Sequence, residues 1–172
     1  MIHTVGHSTR AIADFIALLR EGDVRTLVDV RRYPVSRRHP QFSREALATS
    51  LADGGIAYVH EVDLGGHREP RADSPNTAWR IDAFRGYADH MSTPAFQAAL
   101  GRVAALEHAA VMCAEAEPTG CHRQLLADAL VARGLTVRHL IAPGEARDHV
   151  LHPRAVGRDG RLVYPAAGQL HL

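Results

Sequence analysis

The chain has 172 residues, 46% hydrophobic and 23% charged, with a formal net charge of +1, the composition of one globular domain able to bury a full core. No stretch approaches the roughly 18 to 20 apolar residues needed to cross a bilayer, and Met1 to Arg10 holds no apolar run of signal-peptide length, so a cytoplasmic protein with no membrane contact is expected. All 20 basic side chains are arginine, which excludes a lysine Schiff base and a Walker A lysine.

His3 to Ser8 reads as a short buried strand ending in a glycine turn. Ser8 or Thr9 then caps a helix with Ile12, Phe15, Ile16 and Leu19 at helical spacing, ending near Glu21-Gly22. Thr26-Leu27-Val28-Asp29-Val30 is a second strand, apolar except for Asp29, and the two prolines between Arg31 and Pro40 forbid a regular helix there. Ser43 caps a helix over residues 44–52, stopped by Gly54-Gly55. Ile56 to His60 is a third strand. Residues 64–92 read as a long functional loop, opened by Leu64-Gly65-Gly66 and weakly helical from Trp79 to Met91. Thr93-Pro94 begins a clear helix with Phe96, Leu100, Val103 and Leu106. Ala109 to Cys113 is the fourth strand, and Thr119 or Gly120 starts a helix carrying Leu125, Leu126, Ala129 and Leu130. Thr136 to Ile141 is the fifth strand. Residues 142–172 form a tail rich in Gly, Pro and His, with a candidate hairpin from Val156 to Tyr164 around Asp159-Gly160.

Strands alternating with helices predict an α/β fold: a single-domain three-layer sandwich over residues 1–141, with a mostly parallel, Rossmann-like sheet of about five strands. In such a sheet the carboxyl ends of the strands share one edge, where ligands bind. Gly6-His7-Ser8, Asp29-Val30-Arg31, Leu64-Gly65-Gly66 and Cys113-Ala114-Glu115 each follow a strand, so His7, Asp29, Arg31, Cys113 and Glu115 are expected to share a cleft.

Both cysteines lie within the nine residues Cys113 to Cys121, too few for a disulfide framework, so reduced thiols with a chemical or packing role are expected. Cys121 and His122 fall at the start of a helix, where unpaired N–H groups favour anions and a thiol would titrate low. Buried filling is the plainer reading of both cysteines, and capping that of His122. Cys113, Cys121, His122 and His7 are donors that zinc or iron accepts, but their spacing matches no established short zinc motif; no metal ligand is assigned, and the cofactor is left open. Arg31, Arg32, Arg37, Arg38 and Arg44, joined by Arg68, Arg71, Arg80 and Arg85, interleave with Tyr33, Phe42, Trp79 and Phe84, a mixture suited to phosphate and bases as well as to an ordinary solvated surface. Asp29 and Arg31 point to one face, as an ion pair or as a general base with its partner. Ser8 lacks the Gly-x-Ser-x-Gly elbow of a nucleophile and fits a helix cap.

Gly6-His7-Ser8-Thr9, Val28-Asp29-Val30-Arg31 with Pro34, Ser36 and Pro40-Gln41-Phe42, then Leu64-Gly65-Gly66, Phe84-Arg85-Gly86-Tyr87-Ala88, Met112-Cys113-Ala114-Glu115 and Cys121-His122-Arg123 occur in an order that resembles the bacterial and archaeal family called domain of unknown function 488, over about Ile2 to Ile141. The resemblance implies the α/β fold and marks these motifs as a signature, and it implies no reaction or cofactor.

The expectation drawn from the residues is an enzyme acting on a phosphate-bearing small molecule or nucleic acid. His7, Asp29, Cys113, Glu115 and Cys121 are its catalytic candidates. Ser8, Arg31, Ser36, Arg37, Arg38, Arg85, His122 and Arg123 are its candidates for holding phosphate or substrate. The alternatives are a thiol- or metal-dependent redox or sulfur-transfer protein, and a non-catalytic nucleic-acid-binding module.

Overall fold

A computed structural model describes residues 1–158 and 161–167. Strands β1 (Ile2–Gly6), β2 (Thr26–Asp29), β3 (Ala57–His60), β4 (Ala109–Cys113), β5 (Val137–Ala142) and β6 (Glu145–Asp148) form one sheet in the order β3-β2-β4-β1-β5-β6. The first five run parallel, and β6 returns antiparallel to β5. The two central strands, β1 and β4, are buried at every position, and β4 contains no polar side chain except the thiol of Cys113, as a parallel strand covered on both faces requires.

Alternate residues of β4 serve opposite layers. Ala110 and Met112, with Val5 and Leu27, pack against Phe15, Leu19, Leu47 and Leu51 of helices α1 (Ile12–Glu21) and α2 (Arg44–Asp53). Ala109 and Val111, with Ile2, Val28 and Val137, pack against Tyr87, Phe96, Leu100 and Leu126 of α3 (Asp82–His90), α4 (Pro94–Ala104) and α5 (Arg123–Ala132). The result is the three-layer α/β sandwich that the periodicity predicts. No helix among the described residues is long and apolar enough to cross a membrane.

The sheet departs from expectation in number and order. It has a sixth strand, and β4 stands between β2 and β1, whereas the Rossmann order 3-2-1-4-5-6 places the first strand there. The described residues beyond Ile141 are also packed against the sheet and its helices. After β6, the strands β7 (Val156–Arg158) and β8 (Arg161–Val163) pair antiparallel, and the expected turn between them, Asp159-Gly160, lies outside the described residues. Tyr164 is fully buried in the α3–α5 core.

The long segment after Leu64 is held at defined points. Asp89 of α3 accepts hydrogen bonds from Arg71 N (2.9 Å), Ser74 Oγ (2.7 Å) and Asn76 Nδ2 (2.8 Å). Asn76 Oδ1 in turn accepts from Tyr164 N at 2.9 Å.

Two helix starts differ from expectation. Helix α1 begins at Ile12 with Ala11 at its cap and no side-chain cap, because Ser8 is in the left-handed region (φ 49°) and cannot serve as an extended N-cap. Helix α5 begins at Arg123, behind a 3-10 turn at Pro118–Gly120 and an extended Cys121 (φ −134°, ψ 150°). Thr93 does cap α4, its hydroxyl accepting from Phe96 N.

Candidate functional site

The parallel register sets the strand ends level: Gly6 pairs with Cys113, and Asp29 pairs with both Met112 and His60. The β1–β4 ladder continues past the strands, His7 N donating to Cys113 O and Ser8 N to Ala114 O. This close approach depends on Gly6, since a Cβ there would lie 1.7 Å from the Glu115 carbonyl oxygen. Above the rim opens a cavity of about 640 Å³, within the range of small-molecule sites.

The cavity is lined by His7, Ser8, Arg31, Ser36, Arg37, Arg38, Cys113, Glu115, Cys121 and His122, so the rim gathers all the candidate residues except Asp29, Arg85 and Arg123. Asp29 lies fully buried beneath Arg31. Arg85 pairs with Asp82 on the surface of α3. Arg123 is 1% exposed, and its guanidinium donates to the carbonyls of Glu115 (2.9 Å) and Ala116 (3.0 Å), shaping the turn that carries Glu115.

The buried carboxylate of Asp29 accepts from the Arg31 backbone N (3.0 Å), Nε (2.9 Å) and a terminal nitrogen (2.6 Å), and from the Tyr58 hydroxyl (2.7 Å). With its lone pairs so occupied, Asp29 fixes the guanidinium of Arg31 instead of acting as a free base. Burial first, and then the charge of Asp29, raises the pKa of Tyr58 well above the ordinary phenol value, so its proton stays in place.

His7 stacks on Phe42 with ring centroids 4.3 Å apart. Its Nδ1 lies 2.9 Å from the Ser8 carbonyl oxygen, which can only accept, so the proton sits on Nδ1 and Nε2 presents a lone pair. Arg31 approaches that nitrogen at 3.4 Å. Burial lowers the His7 pKa to about 4, so the ring is neutral at pH 7. His122 is likewise pushed to about 4, mainly by burial. It lies against Gly66, where a Cβ would sit 2.8 Å from its Nδ1.

The thiols meet at the floor. Cys121 donates to Cys113 Sγ at 2.8 Å, Cys113 donates to the Glu115 carbonyl oxygen at 3.7 Å, and Arg123 N donates to Cys121 Sγ at 3.5 Å. The hydrogen bond to Cys113, followed by burial, pushes the Cys121 thiol well above its ordinary value. The expectation of a low-titrating thiol is therefore reversed: Cys121 precedes α5 with an extended backbone and is held protonated by its neighbour. Glu115 has the opposite balance. Partial burial pushes its carboxyl up, but its own backbone N–H and the polar groups around it, the thiols and His122 among them, outweigh it and hold the pKa below the ordinary value, so the group is ionised at pH 7.

Arg37 and Arg38 are exposed on the cavity wall. His39 and His67 also line the cavity and were not among the residues picked from the sequence. Each follows a motif that was picked, Arg37-Arg38 and Leu64-Gly65-Gly66, so distance past a strand end was the available signal. His67 holds a left-handed φ of 57°, as does Ser8 across the cavity; backbone strain of this kind concentrates at functional sites.

Fold and site together define an α/β protein with a cationic, thiol-floored cavity at the carboxyl edge of a parallel sheet. The family described as domain of unknown function DUF488 matches residues 11–130. The chain belongs to this family, and the match spans the arginine loop, the long anchored segment and both cysteines. No curated protein and no solved structure matches the chain.

Proposed function

We propose that the protein is an enzyme acting on a phosphate-bearing substrate, a nucleotide or a nucleic acid. One observation carries this reading. Arg37 and Arg38 make no hydrogen bond or ion pair within the described residues, yet they line the cavity that holds Cys113, Glu115, Cys121 and His122. Glu115 is the sole acid among the described residues on that lining, so the guanidinium forks remain available to an anion, and phosphate suits their geometry. Tyr33 and Phe84, on the same lining, offer faces on which a base can stack. Ser8 and Ser36 supply further donors. The ionised Glu115 takes a proton from water or a substrate hydroxyl at the floor, and Arg31, fixed by Asp29, supplies a stationary positive charge. The cytoplasm is the proposed setting, since it keeps free thiols such as Cys113 and Cys121 reduced.

The test is a titration with fluorescent nucleoside phosphates and with short single-stranded DNA and RNA at low salt. Arg37→Ala and Arg38→Ala should each weaken binding about tenfold or more, as for charged hydrogen bonds worth about 1.5–3 kcal/mol, and added salt should weaken it further. Undiminished affinity in the double variant would remove the reading.

The 2.8 Å approach of the two sulfurs favours a second reading, thiol-dependent redox or sulfur transfer. Under it, Cys113→Ser or Cys121→Ser loses turnover while phosphate binding persists.

A further inference from the structure

We infer that Cys113, Cys121 and Glu115 form a binding site for a thiophilic divalent cation of the zinc type, with a fourth coordination position open to the cavity. The donor atoms of these three residues lie within 4.8 Å of one another, and they are gathered from two segments: Cys113 ends β4, Glu115 lies on the turn after it, and Cys121 comes just before α5. Two sulfurs and one carboxylate oxygen are a set that zinc accepts, whereas magnesium and calcium prefer oxygen alone.

The geometry needs little adjustment. The sulfurs are 2.8 Å apart, inside the contact distance of two unbonded sulfur atoms. A cation between them at a metal–sulfur distance of about 2.3 Å, with tetrahedral angles, sets them about 3.8 Å apart. A side-chain rotation of that size relieves the crowding. Each thiol gives its proton to solvent as its bond to the metal forms, so uptake of one cation releases up to about two protons.

The surroundings supply what outer groups supply in thiolate sites. The backbone N–H of Arg123 points at Cys121 Sγ from 3.5 Å, a donor that stabilises a thiolate. Two thiolates and a carboxylate around a divalent cation leave one negative charge. The guanidinium of Arg123, buried and clamped on the carbonyls of Glu115 and Ala116, balances it while holding the turn that carries Glu115. A nitrogen lies beside one ligand: His122 Nδ1 is 3.5 Å from Cys121 Sγ. Its buried Nε2 has no hydrogen-bond partner among the described residues. Three protein donors with a fourth side open to a cavity is the pattern of a catalytic rather than a structural zinc site.

The cation site and the phosphate contacts of Arg37 and Arg38 fail separately, since they share no residue; a Glu115 carboxylate that holds the cation is no longer free as the proton acceptor of the phosphate reading. The experiment is a titration of the reduced full-length protein with cobalt(II), a coloured substitute for zinc. The expected result is one equivalent bound, sulfur-to-cobalt charge-transfer absorption in the near ultraviolet, visible bands of tetrahedral coordination, proton release, and displacement by one equivalent of zinc. Cys113→Ser and Cys121→Ser should abolish the charge-transfer absorption, and Glu115→Gln should weaken binding at least about tenfold. Arg102→Ala, which removes an ion pair with Glu61, should change nothing. A reduced wild-type chain that gives no charge-transfer absorption overturns the inference without reference to any variant. So does absorption that survives loss of both cysteines, or a chain that forms a Cys113–Cys121 disulfide on mild oxidation and binds no cobalt when reduced.

Discussion

Asp29 has 0% exposure, and its charged partner, Arg31, has 7%. A buried pair of this kind tolerates removal of both charges far better than removal of one. Asp29→Ala strands a guanidinium that keeps one hydrogen-bonding partner among the described residues, His7 at 3.4 Å, and should cost about 3–5 kcal/mol, read as a lower urea midpoint. Arg31 should also lose its fixed position on the cavity lining, so phosphate affinity should fall with stability. An unchanged midpoint would show that the pair is not held in the way its hydrogen bonds imply. The pairing was legible from the i, i+2 spacing on one strand face, which weighed an ion pair against a general base. Tyr58 was not legible as the fourth donor, because it comes from the neighbouring strand and only strand order brings it there.

At the scale of elements, a single run of polar contacts ties the C-terminal segment to the sheet. Thr4 of β1 donates to His139 Nδ1 (2.6 Å), His139 Nε2 to His149 Nδ1 (3.0 Å), and His149 Nε2 to Asp128 of α5 (2.7 Å). The acceptor-only carboxylate at one end fixes both tautomers. Asp128 also receives the Tyr164 hydroxyl at 2.8 Å. Asp128→Ala should leave buried donors on His149 and Tyr164 without partners, at about 1–3 kcal/mol each, and protease cutting within residues 142–167 should precede global unfolding. Cleavage rates equal to wild type would mean that the β5–β6 pairing, the Asn76–Tyr164 contact and apolar packing hold the segment without Asp128. This architecture could not be anticipated from pattern. β6 is the four-residue stretch Glu-Ala-Arg-Asp, mostly exposed at the sheet edge, so it carries no apolar alternation. The start of α5 was misplaced because nothing local forbids a helix through Cys121-His122; the extended backbone at Cys121 accompanies a contact made to Cys113 in another element. The gathering of motifs at one rim was legible, since that follows from parallel strands alone.

Across the whole molecule, burial gives three histidines the same unusual behaviour. His7 and His122 on the cavity lining and His139 in the polar run are each lowered to about 4. In the unfolded chain they titrate near 6.5. Between those values the unfolded state binds more protons than the folded state, so stability falls as the pH drops from about 6.5 toward 4 and levels off below. The three sites act in the same direction, and their combined loss by pH 4 is a sizeable part of the stability of an ordinary domain, about 5–15 kcal/mol. The depressed pKa of Glu115 acts in the same direction, since stability that depends on its ionised form is lost as the pH falls through its folded value. Urea unfolding at pH 7, 5.5 and 4.5 should therefore give steadily lower midpoints. His139→Gln, which keeps a hydrogen-bonding side chain but cannot take up the proton, should be destabilised at pH 7 and should lose less between pH 7 and 4.5 than the parent. A parent chain whose midpoint is flat from pH 7 to 4.5 would contradict the burial of all three rings. A steep parent with an equally steep His139→Gln variant would place the sensitivity at the remaining depressed groups, His7, His122 and Glu115 on the cavity lining and His3 and His90 elsewhere.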